Sequence, residues 1–276
     1  MYFGEIPAPL VRQRLGVDDD YAVHGVLGFG VFDRAADPVL ADLSAHAARQ
    51  GVELTMTTLT QPMYSHAVEV VATTPSGPRR LWLVPVMGTA LMAYYMHMAC
   101  VLGARALVLG GSAGGLAEGM AVGDLVLPDL VTGNDSAAYY SRHGRGGTRI
   151  GAHGPEVTPD EDLAAALAVR LTALHPTAPL WRGASVTCEM IGAETSQDVA
   201  DWSAAGFRAV EMEAAVVCAV GAAFGVPAAA AIYVADCLIS GETVFHPTYA
   251  DSRSVRSTSR AAVVGAAFDA LLRTTA

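Results

Sequence analysis

Ala209-Val210-Glu211-Met212-Glu213-Ala214-Ala215 places two carboxylates and a thioether at the head of a run that stays uncharged until Asp236. A charge bordering so long an apolar run belongs at a water boundary or in a polar site, because burying it unpaired is costly. Gly225-Val226-Pro227 splits the run. The part before the split reads as a buried helix. The part after it, Ala228 to Val234, reads as a core strand. Glu211 and Glu213 then have two readings. They open the helix, where its dipole favours a negative charge, or they accept hydrogen bonds from paired hydroxyls such as those of a ribose. The run is long enough to cross a membrane, but the Gly-Val-Pro break and the lack of flanking basic residues argue against a span.

Outward from this stretch, helix and strand signals alternate. Helical spacing covers 37–50, 92–102, 159–174, 196–205 and 254–272, with Thr158 as the expected cap of the third. Strands are expected over 54–60, 67–73, 80–85, 104–109, 125–127 and 184–188. The stretch from Thr132 to Pro155 is polar and Gly-rich and reads as a long loop. Nothing marks a linker or a repeat, so residues 1–276 are expected to form one α/β domain around a central sheet.

Composition narrows the chemistry. The net charge of −10 opposes nucleic-acid binding, since phosphate backbones require positive partners. All seventeen basic residues are arginine. Without lysine there is no Schiff base to pyridoxal phosphate and no P-loop lysine. An anion must be held by arginine, backbone N–H groups or hydroxyls. Cys100, Cys188, Cys218 and Cys237 show no disulfide or metal spacing and read as reduced residues of a cytoplasmic protein. The segment Met1 to Pro7 lacks a signal-peptide pattern. No metal and no cofactor are expected.

Four further features can carry chemistry. The apolar strand ending at Leu109 runs into Gly110-Gly111-Ser112-Ala113-Gly114-Gly115, read as a strand-exit loop whose backbone and Ser112 hydroxyl could cradle an anion, or as a plain tight exit. Gly28-Phe29-Gly30-Val31-Phe32-Asp33-Arg34 could bring Arg34 onto an oxyanion, or Arg34 is a solvated helix start. Asp236 ends a buried strand, where desolvation raises a carboxyl pKa and suits a general acid; it could equally cap the next helix. Met190 and Ile191, close to Glu189 and Glu194, could wall a flat base pocket or pack in the core.

Taken together, these motifs resemble the nucleoside phosphorylase and nucleosidase family. The specific part is Val210-Glu211-Met212-Glu213-Ala214-Ala215 followed by Gly225-Val226-Pro227 and Val234-Ala235-Asp236. Leu109-Gly110-Gly111-Ser112-Ala113-Gly114-Gly115-Leu116 with Val122-Gly123-Asp124-Leu125 is similar too. The resemblance implies one mixed, partly barrel-like sheet flanked by helices. It implies that Asp236 protonates the leaving base, and that Gly30, Arg34, Gly111 and Ser112 bind phosphate. Glu211, Met212 and Glu213 would hold the ribose, and Met190, Ile191 and Glu194 the base. Phosphate is then a co-substrate, the partners are small molecules, and the chain is expected to be a homo-oligomer of two, three or six copies.

Two departures from the family pattern bear on the reaction. Leu109 stands where the hexameric branch carries a phosphate-binding arginine. Gly88-Thr89-Ala90-Leu91 lacks the arginine and histidine of the trimeric branch. Hydrolysis of the same bond is therefore one alternative, and a phosphorylase acting on uridine or a 5′-modified nucleoside is another. No Gln-x-Arg follows Met190-Ile191, and position 236 is Asp, so a purine base is favoured over uracil. Arg253 or Arg256 could assist Asp236.

Overall fold

The computed structural model describes residues 6–30, 36–61, 64–133, 149–151 and 153–274. After the short helix α1 (Ala8–Leu15), the first half of the chain builds β1 (Gly25–Phe29), α2 (Ala36–Arg49), β2 (Glu53–Thr58), β3 (Val68–Thr74), β4 (Gly77–Pro85), α3 (Thr89–Val101) and β5 (Leu107–Gly115). The second half adds β6 (Leu125–Thr132), β7 (Arg149–Gly151), β8 (Gly154–Val157), α4 (Glu161–Leu174), β9 (Leu180–Thr187) and α5 (Ser196–Ala204). It ends with β10 (Ala209–Glu211), α6 (Ala214–Phe224), β11 (Ala228–Cys237) and α7 (Arg253–Thr274).

The uncharged run folds as its sequence suggests. Helix α6 stops at Gly225, whose φ of 67° is the left-handed conformation that glycine adopts without strain. Strand β11 follows and is buried along its whole length. Ala228, Ala230, Ile232 and Val234 face one apolar cluster, shared with α3 and α6. Ala229, Ala231, Tyr233 and Ala235 face a second, shared with α2, α4 and α7. A strand covered on both sides has no solvent face, which is why it shows no polar alternation.

Strand β11 also closes a barrel. It pairs parallel to β5 and antiparallel to β6. The order β5-β10-β9-β6 completes the ring of five strands, while β1, β4, β3 and β2 extend from β5 as an open wing. The fold is thus the mixed, partly barrel-shaped α/β domain the resemblance implied.

The glycine run departs from expectation. Gly110 to Gly115 is the second half of β5, not a loop. None of its glycines has a positive φ, so the run makes no anion nest. Its small residues serve close approach instead: a Cβ on Gly110 would lie 2.8 Å from the Phe29 ring, and one on Gly114 2.6 Å from Leu238. Here β5 pairs with β11 throughout and passes from β1 to β10, and side chains would block that junction.

Three smaller corrections follow. The cap of α4 is Asp160, whose carboxylate accepts the Leu163 N–H at 2.8 Å, rather than Thr158. The stretch read as a loop from Thr132 ends in the hairpin β7–β8, and β8 pairs with β6. Strand β10 precedes α6, so Ala209 to Glu211 is extended rather than part of the helix start. All four cysteines are unpaired thiols. Among the described residues no helix is long and apolar enough to cross a membrane.

Candidate active site

The junction of β10 with α6 divides the two glutamates. Glu211 turns back on the helix it precedes. Its Oε2 accepts the N–H groups of Glu213 and Ala214, both at 2.6 Å. Its Oε1 accepts the Thr187 hydroxyl, and Thr187 Oγ1 in turn accepts the Ala215 N–H at 2.9 Å. Three of the first α6 amides, which have no partner within the helix, are satisfied this way. Burial pushes the Glu211 carboxyl up to about 7, against the pull of these three donors. Glu211 therefore caps the helix, with both of its carboxylate oxygens engaged by donors.

Glu213 faces the other way. Its Oε1 accepts the Gly88 N–H at 2.5 Å. Its Oε2 lies 2.5 Å from the place a Cβ on Gly30 would take. Gly30 also donates its N–H to Gly110 O at 3.1 Å, and a Cβ on Gly111 would sit 3.6 Å from Gly30 N. Gly30 and Gly88 thus present bare backbone to one carboxylate, and Gly111 lies against Gly30. Burial, and next the Glu211 charge, raise the Glu213 carboxyl to about 8. The sequence assigned Gly30 to phosphate. Its observed contact is with Glu213, and Arg34 lies outside the described residues.

Ser112 and Met212 are half-buried and line a small cavity of about 70 Å³ together with Ile191, Glu194, Glu211 and Asp236. On β5, Ser112 stands in register with Tyr233 of β11, and it opposes the burial that raises the Tyr233 phenol. Asp236 is only 6% exposed. Its Oδ2 accepts the Val244 N–H at 3.0 Å. Desolvation raises this carboxyl to about 6, opposed by that bond and by the Arg256 charge. Arg256 is the arginine that bears on Asp236, and Arg253 is exposed. The Arg256 guanidinium lies 3.6 Å over the Tyr249 ring and donates to Tyr249 O at 2.6 Å.

The three residues that the resemblance assigns to the base are not all brought together. Ile191 and Glu194 line the cavity, and burial raises the Glu194 carboxyl, opposed by the Cys188 thiol. Met190 does not join them. It is 60% exposed, because the chain leaves β9 and turns into the 3-10 segment Ile191–Ala193 just after it. Leu109 is buried in the core, so its position on β5 faces packing rather than the cavity. Thr89, at the start of α3, is buried, and its hydroxyl donates to Glu189 Oε2 at 2.9 Å. Thr187, Tyr233, Tyr249 and Val244 escaped the sequence reading. Thr187 opens the stretch that holds Met190 and Ile191, and Tyr233 lies in the strand that ends at Asp236, whereas Val244 and Tyr249 come from a stretch with no motif. Among the described residues no group of three His, Cys, Asp or Glu is placed to hold a metal ion.

A barrel whose strand ends gather a capped Glu-Met-Glu turn, a strand-end carboxylic acid and a strand hydroxyl defines a phosphorylase-type protein. The family model described as the phosphorylase superfamily matches residues 29–268, and the chain belongs to that family. Among solved structures, uridine phosphorylase from Vibrio fischeri ES114 is similar with a TM-score of 0.69 at 14% identity, over 99% of this chain and 100% of the other. The same enzyme complexed with 6-hydroxy-1-naphthoic acid is similar with a TM-score of 0.66 at 15% identity, over 94% of this chain and 95% of the other. At such identities the similarity is one of fold. No curated protein matches the chain.

Proposed function

We propose that this chain is a nucleoside phosphorylase that splits the N-glycosidic bond of a purine nucleoside with inorganic phosphate, giving the free base and ribose 1-phosphate. The observation that carries the reading is Asp236. It is a buried carboxyl raised to about 6, in a cavity that also holds Ser112 and Met212. A group so raised is still partly protonated near neutral pH and can give that proton. In the proposed reaction the bond from C1′ to the base nitrogen breaks as Asp236 protonates N7 of the base. Phosphate then bonds C1′, and its own proton restores Asp236. The sugar passes through an oxocarbenium-like state, and the anion beside it lowers that barrier.

Glu213 holds the ribose hydroxyls in this scheme. With its proton retained it can donate as well as accept, so it binds a diol without placing a second full charge beside phosphate. Met212 packs on the sugar, Ser112 with the Gly111 backbone holds phosphate, and Arg34 supplies the positive charge. Glu194 meets the polar edge of the base, and Ile191 covers its face. No cofactor enters the scheme. A homo-oligomer in the cytoplasm is part of the proposal, supported by a charged content of only 16% and by the exposed apolar side chains of Met87, Leu91 and Met190.

Uridine is a second reading, favoured by the names of the two similar structures. Water in place of phosphate is a third, favoured by the lack of an arginine among the described residues that line the small cavity. One assay separates them: chromatographic release of base from adenosine, inosine, uridine and 5′-methylthioadenosine, each with and without phosphate. Purine release only with phosphate is the expected result. Uracil release alone, or release without phosphate, would replace the reading with the second or the third.

A further inference from the structure

A cavity of about 760 Å³ opens beside Asp236, far larger than the pocket of about 70 Å³ next to Ser112 and Met212. The two share a wall made of Ile191, Glu194, Asp236, Leu238 and Val244. Ser112, Glu211 and Met212 line only the smaller one. The large cavity therefore continues from the end where the base is protonated and lies away from the sugar and phosphate end.

Its outer walls are α5 and the segment 238–245. Helix α5 presents Val199, Ala200 and Ala204, small enough to leave width, and the opposite side presents Ile239 and Phe245. Phe245 is 86% exposed and Ile239 43%, an apolar surface with no partner inside the described chain. An unsubstituted base, held at Asp236 and Glu194, would leave that surface in water.

Base chemistry selects what fills it. A purine protonated at N7 presents its 6-substituent on the same edge. A group on the exocyclic nitrogen thus passes directly by the carboxylates of the shared wall. We propose that the substrate is a purine nucleoside whose 6-amino group carries an apolar alkyl or aryl substituent, seated between α5 and the segment 238–245. The proposal rests on the purine reading above. Burying such a group against apolar walls strengthens binding by roughly tenfold or more.

The test compares N6-benzyladenine with adenine by calorimetry, and N6-benzyladenosine with adenosine in the phosphorolysis assay. The benzyl base is expected to bind at least tenfold more tightly, and its nucleoside to show the higher kcat/KM. Ala200 is exposed on α5, so Ala200→Trp fills the cavity without disturbing the core. That variant is expected to erase the benzyl preference and to change adenine binding less than twofold. Equal or weaker binding of the benzyl base overturns the proposal, as does a preference that survives Ala200→Trp. Tight benzyl-base binding without turnover of either nucleoside would sustain the subsite and overturn the phosphorolysis reading instead.

Discussion

Replacing Glu213 with Gln should make the protein more stable at neutral pH while impairing its activity. The carboxyl is 4% exposed, has one backbone donor at Gly88, and is raised from 4.5 to about 8. In the unfolded chain it ionises near 4.5, whereas in the folded chain it keeps its proton until about 8. Between these values the folded state binds more protons, so stability falls as pH rises. The contribution is intact below about 4.5 and is lost by about 8. At pH 7 the loss is about 3 kcal/mol. Gln keeps an acceptor for the Gly88 N–H and removes the ionisation. For a chain of 276 residues each kcal/mol is about 2 °C in Tm, so Glu213→Gln should melt ~6–8 °C higher at pH 7.5. Near pH 4.5 it should melt close to the parent. Calorimetric melting across pH 4.5–8.5 measures the difference, and base-release kinetics should show a raised nucleoside KM. A variant that melts below the parent by the same margin at every pH would refute the reasoning. It would mean that the carboxylate is ionised throughout and that its bond to Gly88 stabilises the fold.

Asp236→Asn should slow base release, and the parent-to-variant ratio of kcat/KM should fall as pH rises above about 6, where the parent loses its proton. Phosphate ionisation is common to both enzymes and cancels, so a ratio that stays constant from pH 5 to 8 would remove Asp236 as the acid. Ser112→Ala should raise the KM for phosphate about tenfold through loss of one charge-assisted hydrogen bond. The nucleoside KM should stay within about twofold, and the reverse pattern would place Ser112 on the nucleoside. Thr187→Val strands the Ala215 N–H and removes a donor from Glu211, both buried. A loss of ~2–3 kcal/mol is expected in denaturant unfolding. A loss below about 0.5 kcal/mol would show that the capping network is dispensable.

The fold was legible where one signal dominated. The apolar run with its Gly-Val-Pro break marked both α6 and β11, because glycine in the left-handed conformation and a doubly covered strand leave strong local traces. The glycine run misled, since small residues serve a loop and a crowded strand junction equally well. What settles the matter is Phe29 from β1 and Leu238 from beyond β11, far away in sequence. Met190 and Ile191 are adjacent and both apolar, and nothing local separates the exposed one from the lining one. The choice between Arg253 and Arg256 likewise required the α7 face and the partner Tyr249.

The helix-start reading of the opening stretch falls to Glu211 alone, and the ribose reading of Glu213 stays part of the proposal. In a continuous strand, side chains two residues apart share a face, so Glu211 and Glu213 would point together. The strand stops at Glu211, and Glu213 takes φ −143° and ψ −19° as the backbone turns into α6. That turn sends the first carboxylate onto the helix amides and the second toward Gly30 and Gly88. The capping carboxylate lies close enough for its charge to raise its neighbour. The structural glutamate therefore helps to keep the other one protonated. Thr187, by donating to Glu211, draws down the pKa of the cap while burial raises it. Losing that hydroxyl should thus reach Glu213 as well as stability, through one shared charge.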